Sequence, residues 1–82
     1  MNRQRRRELS KIEISINKVI QELKAIKTNL ENIKIDEEIA FDNMPENLHY
    51  SMRGEEAEEA IENMDDALDS LNEALDSLED II

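Results

Sequence analysis

Eighty-two residues set a ceiling of one domain, because a chain this short buries too little of its own surface for two cores and leans on self-association or a partner. One Gly, one Pro, no Cys, no Trp and 38% charged residues lack the punctuation of a β-protein, and they exclude disulfides, thiolate nucleophiles and cysteine zinc sites together. The net charge of −11 is unevenly spread: nine of the ten Lys and Arg precede residue 36, while seventeen of the twenty-one acids follow residue 35.

The chain begins with a basic cluster, Arg3, Arg5, Arg6 and Arg7, followed by apolar residues at Leu9, Ile12, Ile16, Val19, Leu23, Ile26, Leu30, Ile33, Ala40 and Met44. These advance by alternating steps of three and four, broken only at Glu37, which predicts one long helix over about residues 4–42 with a coiled-coil-like seam. The β-branched Ile and Val residues have helix propensities a few tenths of a kcal/mol, roughly, below that of Leu, so packing must supply the difference. Ile14, Ile20, Ile35 and Ile39 lie off that seam. The helix therefore has more apolar surface than one partner helix covers, and a further helix from a second copy is expected.

Residues 43–51 read as a turn. Pro45 disrupts a continuing helix and restricts Met44, and Asp42, Asn43 and Ser51 are turn and cap formers. A second helix is predicted over about 52–81, with Gly54 just inside its start and Glu55, Glu56, Glu58 and Glu59 favouring the dipole of its first turns. Its seam runs Ala57, Ile61, Met64, Leu68, Leu71, Leu75, Leu78 and Ile82, flanked by Ala60, Ala67, Ala74 and Ile81. Residues 60–80 are three near-copies of one seven-residue word, AIENMDD, ALDSLNE and ALDSLED, so each word supplies two turns of packing surface. The polar places go to acids, among them Glu62, Asp65, Asp66, Asp69, Glu73 and Asp76, an acidic face open to a partner.

Glu79 and Asp80 oppose the dipole at the end of the second helix, and the arginines oppose it at the start of the first. Folding back antiparallel brings these two clusters toward each other. The expected fold is all-α: a single domain over 1–82, formed as a long antiparallel two-helix hairpin that dimerises into a four-helix bundle. With the turn centred near residue 47, residues 1–11 form a basic overhang. The dimer places a homo-oligomeric seam on Leu9, Ile12, Ile16, Val19, Leu23, Ile26, Leu30 and Ile33 of the first helix and on Ile61, Met64, Leu68, Leu71, Leu75 and Leu78 of the second.

Chemistry has little to work with. There is one His and one Tyr, and the carboxylates fall on solvent-facing helix positions, so no catalytic residue, cofactor or metal is assigned and the chain is read as non-enzymatic. Glu46 and His49 have the Glu-x-x-His spacing of di-iron bundles, but beside Pro45 in a turn rather than within a helix. No Asp-x-Asp-x-Asp-Gly loop is present for calcium. Direct nucleic-acid binding by the arginines is opposed by the acidic remainder of the chain and lacks an aromatic platform. Membrane attachment is disfavoured because the polar face is acidic and no apolar run spans a bilayer, and a cytoplasmic location is expected.

The stretches Arg5-Arg6-Arg7-Glu8-Leu9, Ala40-Phe41-Asp42-Asn43-Met44-Pro45-Glu46-Asn47-Leu48, Arg53-Gly54-Glu55 and Glu59-Ala60-Ile61-Glu62-Asn63-Met64 together resemble a group of small acidic helical proteins of Gram-positive bacteria and their phages and mobile elements. The resemblance covers most of the chain and implies its origin and a small helical fold, with no active site to carry over. The expected function is a protein-interaction module that binds a host protein through the acidic helix face, as an anti-defence or DNA-mimic inhibitor. Two alternatives stand beside it: an oligomeric sponge that holds an anionic nucleotide on its clustered arginines, and a purely structural assembly hairpin.

Overall fold

The computed structural model describes all of residues 1–82. Three helices follow in order: α1 over Arg3–Asp42, a single turn α2 over Glu46–His49, and α3 over Met52–Ile81. The molecule measures 64 × 17 × 14 Å, its long dimension matching the roughly 60 Å expected of a forty-residue helix. No helix is long and apolar enough to cross a membrane.

Local chemistry sets each helix end. Asn2 caps α1, its side-chain oxygen accepting the Arg5 amide at 2.8 Å, one position earlier than the periodicity alone indicates. The first turn of α1 contains no acid to favour its dipole, so this cap is the principal device satisfying its free amides. At the other end the Asn43 amide donates to the Ile39 carbonyl at 3.0 Å and Met44 to Phe41 at 3.1 Å, after which Pro45 starts α2. Ser51 caps α3 by accepting the Gly54 amide at 3.3 Å, and its hydroxyl donates back to the Leu48 carbonyl.

Gly54 is buried where α3 crosses the end of α2. A Cβ there would stand 2.6 Å from the Leu48 carbonyl oxygen and closer still to that of His49, so only glycine lets the two backbones approach this closely.

α3 packs antiparallel along α1. The most buried apolar residues are Ile20, Ala57, Leu68 and Leu75, with relative exposures of 3–8%, and no side chain is completely enclosed. Leu9, Ile16, Leu23 and Leu30 of α1 and Ile61, Met64, Leu71 and Leu78 of α3 are half-buried, while Ile82 is exposed. On α3 the contact line is the one its periodicity indicates.

On α1 the contact line differs from the sequence expectation. Ile12, Val19, Ile26 and Ile33, expected in the seam, are 52, 43, 51 and 57% exposed, whereas Ile20, expected off it, is the most buried side chain of all. α3 covers the line Leu9, Ile16, Leu23 and Leu30 and the neighbouring line Ile20, Lys27, Lys34 and Phe41, seven residues apart. The physical reason lies in that second line: Lys34 pairs with Asp65, Phe41 stacks on His49, and both contacts require α1 to be turned by one position. Met52, the first residue of α3, is 76% exposed.

Candidate interaction surfaces

Two ion pairs cross between the helices. Lys34 meets Asp65, and also Glu38 at 3.4 Å on its own helix, while Lys24 meets Glu79 at 3.7 Å. Both crossings lie on one side of the hairpin and fix its register. The Lys34 ammonium is held above its ordinary pKa, chiefly by the hydrogen bond to Asp65, with Glu38 adding to the effect and desolvation opposing it.

The acidic face extends along the outside of α3. Glu62, Asp65, Asp66, Asp69, Glu73 and Asp76 are all exposed. At about 3.6 residues per turn, Glu62, Asp69 and Asp76 form one row and Asp66 and Glu73 a second beside it, whereas Asp65 turns toward α1 and spends its charge on Lys34. From Glu55 to Asp80 the helix carries twelve carboxylates, of which only Asp65 and Glu79 have an ion-pair partner in the chain.

The basic end is built differently from a four-arginine pocket. Residues 1–8 are exposed, and none of Arg3, Arg5, Arg6 and Arg7 makes an ion pair. Helix geometry gathers Arg3, Arg6 and Arg7 on one arc and sends Arg5 to the opposite side. Arg6 borders a groove of about 250 Å³ in which Leu9 and Ile16 meet Ile81 and Ile82. The end of α3 thus lies alongside the second to fourth turns of α1. Glu13 shares this groove and would repel an anion placed in it.

The turn forms the third surface. The Phe41 and His49 rings stack with centroids 4.5 Å apart and planes 17° apart. His49 Nε2 is buried there without a hydrogen-bond partner. Glu46 precedes it on the single turn of α2, and no three His, Cys, Asp or Glu side chains converge in the geometry that holds a metal.

No family model, no curated protein and no solved structure matches this chain. The surfaces themselves therefore carry the functional reading.

The structure identifies two features that periodicity passed over. One is the contact line through Ile20, Lys27, Lys34 and Phe41; its signal was the complementary spacing of Glu58, Asp65, Asn72 and Glu79 on α3, polar residues seven apart able to meet lysines seven apart. The other is the stacking of Phe41 on His49, residues separated by the turn, for which no sequence period exists.

Proposed function

We propose that the chain is a non-catalytic interaction module of a phage or mobile element that self-associates and engages a host protein through the acidic face of α3, in place of nucleic acid. The supporting observation is the charge spacing. Twelve carboxylates along the roughly 38 Å from Glu55 to Asp80 amount to one per about 3 Å of axis, close to the ~3.4 Å per phosphate of one DNA strand, and ten of them are unpaired in the chain. A helix holds these charges at fixed positions, and a protein groove evolved for a phosphate backbone presents the opposite charge at similar spacing. The partner class is accordingly a DNA-handling or defence enzyme with a basic groove.

The test is capture from a Gram-positive host lysate on the tagged chain, with elution by a salt step. Near-stoichiometric recovery of one nuclease, polymerase or regulator, lost when Glu62, Asp69, Glu73 and Asp76 are changed to Gln or Asn, supports the reading. Recovery of the bait alone, or capture indifferent to those substitutions, overturns it.

A second reading rests on the arc of Arg3, Arg6 and Arg7, none of which makes an ion pair in the chain: these residues, grouped by oligomerisation, would hold an anionic nucleotide. Calorimetry with cyclic and linear nucleotides tests it, since Gln substitutions at these arginines abolish such binding and leave acidic-face capture unchanged.

A further inference from the structure

A hairpin of two helices has two flanks, and in this one the flanks are unlike. The Lys34–Asp65 and Lys24–Glu79 pairs occupy one of them. About 3.6 residues per turn then places the exposed line Val19, Ile26 and Ile33 of α1 and the line Ala67, Ala74 and Ile81 of α3 together on the other. The register of the ion pairs sets Val19 level with Ile81, Ile26 with Ala74, and Ile33 with Ala67. Three layers thus each offer an aliphatic side chain from α1 beside a residue of α3 that is small in two of them. Although α3 is dominated by acids, its outer rim on this flank is Asn63, Ser70 and Ser77, without charge.

We propose that a second copy of this chain docks on that flank, with both turns at the same end of the bundle and each α1 lying against the α3 of its partner. The inference rests on the self-association proposed above and specifies its surface and polarity.

Three observations support a second copy as the occupant. The flank is about 45 Å long over the length of α3, and the molecule is 17 Å across, giving roughly 750 Å², close to the ~800 Å² per partner of a stable interface. The sizes are also self-complementary. With the turns together, Ile26 and Ile33 of one copy meet the alanine line of the other, so large residues enter the space that small ones leave. Net charge selects the same polarity, because the opposite one would set two α3 helices, each with twelve acids and one arginine, against each other, whereas this one sets each α3 against an α1 whose nine basic and eight acidic residues nearly cancel. In the same arrangement Glu22 stands level with Ser77 of the partner subunit, a hydroxyl donor rather than another acid.

The experiment combines mass with distance. Light scattering on the eluting 82-residue chain is expected to give twice 9.6 kDa. Ile26→Asp and, independently, Ala67→Glu are each expected to raise the dimer dissociation constant at least ~100-fold by placing an unpaired charge in the interface. Ile35→Asp, at a site of equal exposure on the outer side of α1, is expected to leave the dimer intact. Because Ala67 is exposed, Ala67→Glu keeps the helical circular-dichroism signal and so separates dissociation from unfolding.

The chain has no cysteine, so Asn47→Cys carries a single spin label at the turn. Label separations under about 30 Å fit turns at the same end, and separations near or above the ~45 Å length of α3 overturn the polarity. A wild-type monomer at several hundred micromolar, a dimer that survives both flank substitutions, or stoichiometric binding of a different protein to this flank would each overturn the docking proposal. Ala67→Glu removes no acid from the outer face of α3. Host-protein capture that persists in this variant therefore separates the fate of the dimer from that of the acidic-face reading.

Discussion

Lys34 of α1 reaches across the hairpin to Asp65 of α3 while also meeting Glu38 one turn further along its own helix, so a single ammonium ties two carboxylates on two elements. This contact is only partly shielded, with 24% of the Lys34 side chain exposed. An exposed pair contributes little on its own, because water and salt screen it. Its effect is on orientation: it selects which flank of α1 faces α3.

The pH dependence of that contact follows from its sign. The Lys34 pKa is raised in the folded chain, first by the hydrogen bond to Asp65, so its contribution is fully present below the ordinary value of 10.5 and disappears as pH rises through the raised folded value. Thermal unfolding of wild type and Lys34→Met, compared from pH 8 to 12, should show a difference that narrows above pH 10.5. A difference constant across that range would remove Lys34 from the register argument.

Leu75 is 5% exposed and lies in the strip where α3 meets α1. Leu75→Ala should destabilise the hairpin by about 2–4 kcal/mol, the usual cost of a buried leucine. Ile14→Ala, at a site 81% exposed, should change stability by less than about 0.5 kcal/mol. Urea titrations followed by circular dichroism give both values, and equal losses would mean that the apolar contact lies elsewhere.

Gly54→Ala tests the crossing of α2 and α3. In an open helix alanine would stabilise by roughly 1 kcal/mol. Here the added methyl meets the His49 and Leu48 carbonyls, so a net loss of about 1–3 kcal/mol is expected. A stabilised variant would show that the two backbones are not held in this approach.

Ser51 both accepts the Gly54 amide and donates to the Leu48 carbonyl. Ser51→Ala should cost about 1 kcal/mol and increase amide exchange in the first turn of α3, with little change at its centre. Hydrogen exchange resolved by residue distinguishes this local loosening from a general loss of stability.

Much of this architecture is legible in the residues. The three-four rhythm of Leu68, Leu71, Leu75 and Leu78 dictates a helix and names its inner face, because only one stripe of α3 has large apolar side chains throughout, while acids dominate the outer positions. Pro45 and Ser51 locate the reversal, since one stops a helix and the other starts one. The acidic surface follows from the same pattern: a carboxylate without a partner stays in water.

α1 was not decidable in this way. Its line through Ile12, Val19, Ile26 and Ile33 is as apolar as any the chain offers, and the line through Ile20 contains two lysines, so local pattern favours the wrong flank. Tertiary structure decides for Ile20 because the acids that meet Lys34 of that line and Lys24 beside it lie some thirty to fifty-five residues further on, at Asp65 and Glu79. The stacking of Phe41 on His49 and the close passage at Gly54 belong to the same class. Each is a contact between elements that meet only after the chain has reversed. Sequence period determines which residues share a face; which of two adequate faces is covered depends on what the opposing helix brings to it.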